Sequence, residues 1–245
     1  MSHLQVKPKN TNKSKIPTRP EMEIGNIPCH PASVIFVGKS GSGKTQLLLH
    51  LLTDKNLYKD YFDLIFLFSA TAGEGCDDLY EKHANIPEQH MFKPDKQGLK
   101  QLNHIVETQQ KLAKKNGLDK TPKILIIFDD VAHAKKFLAS DVYLLLHIAN
   151  RHYNISTFSL TQSYVKIPRS CRCQVSGIMF FHGGTNSEKI RLSEEHCPDN
   201  YTYKEFESII NDATKDKYNF LFVNKQIDNK IRYRKNLTDI LELQK

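Results

Sequence analysis

The octapeptide Gly38-Lys-Ser-Gly-Ser-Gly-Lys-Thr45 lies between the apolar run Val34-Ile-Phe-Val37 and the leucine-rich stretch Gln46-Leu-Leu-Leu-His-Leu-Leu52. A short unbroken apolar run reads as a buried parallel strand, and the leucine-rich stretch as a helix packed on it. The segment joining them satisfies G-x-x-x-x-G-K-[ST] in full. Glycines at 38, 41 and 43 let the backbone curl so that its N–H groups point inward at phosphate oxygens. The helix that follows adds the positive end of its dipole. The pattern predicts a nucleotide cradle built from Gly38, Lys39, Ser40, Gly41, Ser42, Gly43, Lys44 and Thr45. Lys44 is expected to reach the β- and γ-phosphates, and the Thr45 hydroxyl to ligate Mg²⁺.

Working outward, four more apolar runs follow at 62–68, 124–128, 155–160 and 177–181. Helices are expected at 98–116, 141–150 and 203–211, the first stopped by Asn116-Gly117. Residues 72–98 read as loop with a short helix. The runs 218–223 and 230–234 flank NKQIDN and predict a C-terminal β-hairpin. Strands alternating with helices argue for an α/β fold, a mostly parallel central sheet with helices on both faces. The globular unit is expected to span 25–245. Residues 1–24 are basic at their start, with Lys7, Lys9, Lys13, Lys15 and Arg19, and too polar to bury a core. That stretch reads as a solvated tail or as an arm that touches a partner.

The run 124–128 leads into Asp129-Asp130. In a parallel sheet the end of that strand places both carboxylates beside the phosphate loop. Asp129 is expected to hold Mg²⁺ through water, and Asp130 to polarise the attacking water. The fourth strand closes on Thr161-Gln162, where a polar side chain can touch both water and γ-phosphate, so Gln162 is the candidate sensor. Arg151 precedes that strand; Arg169 and Arg172 follow it. An arginine supplied by a neighbouring subunit can stabilise charge in the transition state, whereas surface charge is the plainer reading of each.

Composition sets the bounds. The chain of 245 residues is 39% hydrophobic and carries a formal net charge of +8, with five cysteines. No apolar run is long enough to span a membrane, and the N-terminus has no apolar core of a secretory signal. The odd, irregularly spaced cysteines predict a reduced, intracellular setting. Cys171-x-Cys173 and His196-Cys197 are too closely spaced for the usual zinc pattern. The charge makes nucleic acid one candidate partner and an ordinary basic surface the other. The lysine clusters around 111–115 and 225–235 are open to the same two readings. Asn224-Lys-Gln-Ile-Asp228 has one residue too many for a guanine-reading N-K-x-D, and no LSGGQ-like stretch marks a transporter ATPase. A nucleotide kinase and a slowly hydrolysing nucleotide switch or scaffold stay open.

Taken in order, GKSGSGKTQLLLHLL, ILIIFDD and NRHYNISTFSLTQSYVKIPRSCR resemble the FtsK–HerA superfamily, over about residues 30–185. Within it the chain is similar to the genome-packaging ATPases of poxviruses, other large DNA viruses and virophages, and its small size suggests a virophage member. The resemblance implies a RecA/FtsK-like P-loop NTPase that forms a hexameric or pentameric ring. It implies ATP and Mg²⁺ as cofactors, double-stranded DNA as substrate and a capsid as partner, with no membrane. The setting it implies is viral, in the host-cell cytoplasm (the virus factory), the virion or both. By the same resemblance Lys44 and Thr45 match the nucleotide and metal contacts, Asp129 the Walker B aspartate, Gln162 the sensor and Arg151 the trans finger. Asp130 departs from the glutamate that many ring ATPases carry.

Overall fold

A computed structural model of the chain describes residues 27–72, 78–199, 201–228 and 231–241. The basic stretch 1–24 and Lys230 lie outside the described residues. Nine strands form one sheet in the order β3-β2-β4-β5-β1-β6-β7-β8-β9. These are β1 (Ser33–Val37), β2 (Leu64–Ser69), β3 (Met91–Phe92), β4 (Ile124–Asp129), β5 (Ile155–Thr161), β6 (Gly177–Phe181), β7 (Phe220–Asn224), β8 (Tyr233–Lys235) and β9 (Asp239–Ile240). The first six are parallel, and the last three add on antiparallel beyond β6. The expected C-terminal hairpin is therefore present as β7 and β8, and β9 extends it.

Every residue of β1, β5, β6 and β7 is buried, as expected of strands covered on both faces. The alternation of β1 feeds two separate cores. Val34 and Phe36 pack with Leu48, Leu51 and Leu52 of α1 (Lys44–Thr53) and Tyr80 of α2 (Asp78–Ala84). Ile35 and Val37 belong to the opposite face, with α3 (Lys96–Asn116), α4 (Lys135–Leu138), α5 (Asp141–Ala149), α6 (Arg169–Gln174), α7 (Asn186–His196) and α8 (Tyr203–Ala213). The handedness of crossovers explains the division. Connections running from β1 toward the β3 edge put α1 and α2 on one face. Connections returning from β3 through β4 and β5 to β6 put α3 to α6 on the other. The change of direction falls between β1 and β5, which opens a crevice at their C-terminal ends.

Three helices, α4, α6 and α7, have no counterpart in the sequence reading, and α4 spans only four residues. α7 carries few apolar residues, so its periodicity is faint. Its start is nonetheless signed by a capping box in which Thr185 accepts from the Glu188 amide and Glu188 reaches back to Thr185. α6 has only six residues, too few to show a period, and it buries Cys171 and Arg172. Arg172 is thus no surface charge. Its guanidinium makes a bidentate pair with Glu195 of α7, at 2.6 Å and 3.0 Å, and stacks 4.9 Å from the Tyr164 ring centroid. Burial works against the Glu195 charge. Hydrogen bonds from Arg172 and Tyr164 overcome it and hold the carboxyl below its usual range.

Three buried histidines give the fold a pH dependence. Burial pushes His30 and His147 down to about 4 and His196 to about 3. Each stays neutral in the folded chain, while the unfolded chain protonates it near its ordinary value of about 6.5. A depressed histidine adds nothing above that value and penalises the folded state as pH falls toward the folded value. The melting midpoint should therefore fall steadily from pH 7 to pH 5, a window above the ordinary carboxylate range. The loss amounts to about 1.4 kcal/mol per histidine per pH unit once below about pH 6.5. A midpoint flat across that window, followed by differential scanning calorimetry, would contradict these assignments.

Candidate functional site

The loop between β1 and α1 is held in shape by its glycines. Gly43 takes φ +101° and Gly41 φ +72°, a region that residues with a side chain avoid. At Gly38 the constraint is space, since a Cβ there would stand 2.6 Å from Ser42 Oγ and 2.7 Å from Phe181 Cβ. The Gly38 amide donates to the Thr161 carbonyl, tying the loop to the end of β5. Lys44 opens α1, and its ammonium folds across the loop to the carbonyls of Gly38, at 2.7 Å, and Lys39, at 3.0 Å. Burial pushes that ammonium below its ordinary value, against the opposing pull of Asp129 and Asp130. The helix start has no side-chain cap. Its first amides therefore face the loop, a disposition suited to an anion.

Around the loop is a cavity of about 500 Å³ lined by Ser40 to Gln46, Ser69 to Thr71, Asp129, Asp130, Leu160, Thr161, Gln162 and Tyr218. It stands at the crevice between β1 and β5. Most of the residues singled out in the sequence meet there. Gly38 and Lys39 support the loop from outside the cavity, the Lys39 stem lying along Gly183.

The two acidic residues differ in setting. Asp129 ends β4, and its carboxylate accepts the Tyr80 hydroxyl at 2.7 Å. Asp130 follows in a left-handed conformation, φ +49°, with its amide on the Leu160 carbonyl. That turn ends the strand and leads into a short 3₁₀ turn at Val131–His133. The Gln162 side-chain Nε2 donates to Asp130 Oδ2 at 3.2 Å. Asp130 and Gln162 thus form one unit across the ends of β4 and β5. Gln162 is followed by Tyr164, whose amide donates to Glu188 and whose hydroxyl donates to Glu195.

The arginines separate clearly. Arg151 is exposed in the turn before β5 and lines a different cavity, with His147, Asn150 and Gln174. The whole length of β5, about 20 Å, lies between it and Gln162. Arg169 is exposed, 4.0 Å from Glu195. Two aromatic members of the site escaped the sequence reading. Tyr80 lies in a segment of mixed loop composition, where nothing local announces its contact with Asp129. Tyr218 sits before β7 on the far flank of the loop, 57% exposed, and a Cβ on Gly43 would stand 3.4 Å from its ring.

Among the described residues, no group of three or more His, Cys, Asp and Glu could hold a metal, and no helix is long and apolar enough to cross a membrane. The oxygen donors that line the cavity include the Asp129 carboxylate and the Thr45 hydroxyl, the pair expected to hold a cation. Two hard oxygen donors suit Mg²⁺, which keeps waters and takes phosphate oxygens for the rest of its shell.

No curated protein matches the chain in sequence. Among solved structures it resembles the genome packaging NTPase B204 from Sulfolobus turreted icosahedral virus 2 in complex with ATP-gammaS. The TM-score is 0.57 at 16% identity, over 80% of this chain and 93% of that one. The same NTPase in complex with sulfate gives 0.58 at 17%, over 87% and 100%. EssC (ATPases 2 and 3) from Geobacillus thermodenitrificans gives 0.54 at 14%, over 78% and 37%. These likenesses show the fold alone: the chain shares the α/β architecture of these nucleotide-hydrolysing proteins. The sequence profile described as Poxvirus A32 protein matches residues 22–244, and the chain belongs to that family of packaging ATPases.

Proposed function

We propose that the chain is an ATP-driven motor that moves viral double-stranded DNA into a capsid. The observation that carries this reading is the meeting of the phosphate loop, the acidic pair and Gln162 in one cavity, in a member of a packaging-ATPase family. In this account the amides of residues 38–45 cradle the phosphates, and Lys44 leaves the loop carbonyls for the β- and γ-oxygens. Thr45 and Asp129 would hold Mg²⁺, and Tyr80 fixes the carboxylate of Asp129. Mg²⁺, when bound, neutralises charge on the β- and γ-phosphate oxygens. Asp130 accepts the proton of the attacking water, oriented by Gln162.

Arg151 is too far along β5 to serve its own cavity. We assign it to the nucleotide of a neighbouring subunit, in a ring of five or six copies. The DNA is gripped through its phosphates without reading sequence, as the net charge of +8 favours. Capsid proteins complete the partners, and the site of action is the host-cell cytoplasm where virions assemble, as for a virophage. The unit 25–245 acts as one ATPase domain, with 1–24 a basic tail.

Translocation is read by displacement of a triplex-forming oligonucleotide from duplex DNA. The full chain with ATP should displace it, and Lys44→Ala and Asp130→Asn should not. Displacement without ATP, or none with it, would contradict the proposal. Tyr80→Phe should slow hydrolysis about tenfold while leaving the melting midpoint near that of the parent, since it removes one hydrogen bond on a metal ligand. Arg151→Ala and Lys44→Ala, each inactive alone, should recover activity when mixed. Every junction that pairs an intact loop with an intact Arg151 is then competent. Failure to complement would place Arg151 outside the reaction.

A further inference from the structure

We propose that the Tyr218 ring is the platform on which the base of the bound nucleoside triphosphate stacks, an assignment that rests on the nucleotide reading above. Topology fixes which end of the nucleotide lies where. Asp129 and Asp130 sit at the end of β4, two strands from β1 on one side, and Tyr218 just before β7, two strands from β1 on the other. Each offset is about 10 Å. The phosphate loop lies between them. A triphosphate whose γ-end points to the acidic pair therefore directs its ribose and base toward Tyr218, in the same cavity.

The backbone supports this reading. Tyr218 holds φ +72°, a conformation that a bulky aromatic residue adopts only when its surroundings impose it. The turn that imposes it is fastened on several sides. The Asn219 amide donates to the Asp216 carbonyl, and the His182 amide to the Asn219 carbonyl. The Asn219 side chain donates to Asp216 Oδ2 at 3.2 Å and accepts from Asn236 at 3.1 Å. The turn thus sets Tyr218 beside Gly43 and outside the core. The Lys217 ammonium stands 4.9 Å from its centroid, and 57% of the residue remains exposed. A largely exposed aromatic ring next to a phosphate cradle suits a flat heterocycle. Every base has such a face, so the platform recognises the class of nucleotide and not one base.

The test compares full-length wild type with Tyr218→Phe, Tyr218→Ala and Tyr218→Gly. Affinity for ATPγS and for inorganic tripolyphosphate, which has no base, is measured by calorimetry. Tyr218→Phe should match wild type. The alanine and glycine variants should bind ATPγS about 5- to 100-fold more weakly, with tripolyphosphate binding unchanged. Glycine adopts φ +72° freely, so that variant should melt no lower than wild type, which separates binding from folding. Unchanged ATPγS binding in the variants, or an equal loss for tripolyphosphate, overturns the platform alone. Wild type that binds neither ligand removes the nucleotide reading itself.

Discussion

The site depends on one constraint: the chain must turn sharply at the end of β1 and enter α1 with its amides facing inward. Gly43 at φ +101° makes the turn, and the bond from the Gly38 amide to Thr161 fastens it to β5. β1 sends its connection to one face of the sheet, whereas β5 sends its own to the other. The crevice this leaves is where the acidic pair, Gln162 and the loop converge. A side chain at Gly43 would meet strain in its backbone and the Tyr218 ring at 3.4 Å. A side chain at Gly38 would meet Phe181.

The second half of the site is held from behind. Gln162 lies exposed at a strand end, and such a side chain is positioned only if the chain after it is fixed. That work falls to the Tyr164, Arg172 and Glu195 cluster. Tyr164 is fully buried, its amide on Glu188 and its hydroxyl on Glu195. Arg172 joins Glu195 in a bidentate pair and also donates to the carbonyls of Val165 and Ile167. A buried pair of this kind adds little net stability over an apolar substitute, but losing one partner is severe. Here it ties the segment after Gln162 to α7.

The sequence disclosed what is local. The octapeptide, the apolar run into Asp129-Asp130 and the strand closing on Gln162 each carry their chemistry within a few residues, and the structure brings them into one cavity. Strands 124–128 and 177–181 were legible because both faces are covered, which makes the run continuous. Helix α7 was faint because it is mostly polar; its capping box at Thr185 and Glu188 was the available signal. Tyr80 and Tyr218 were not legible at all. Their roles come from tertiary contacts with residues far away in the chain. The buried partnership of Arg172 with Glu195 likewise separates it from Arg151 and Arg169 only in three dimensions.

What makes this a motor and not a switch is the coupling of hydrolysis to DNA. In the proposed motor the Asp130 and Gln162 unit places the hydrolytic chemistry, and the net charge of +8 supplies attraction to phosphates. The most direct measurement is steady-state ATP hydrolysis by the full chain, with and without double-stranded DNA, at low and at physiological salt. The account predicts turnover that rises with DNA and a stimulation that fades as salt rises, because each counterion released into saltier solution gains less entropy. Hydrolysis indifferent to DNA at both salts would contradict it.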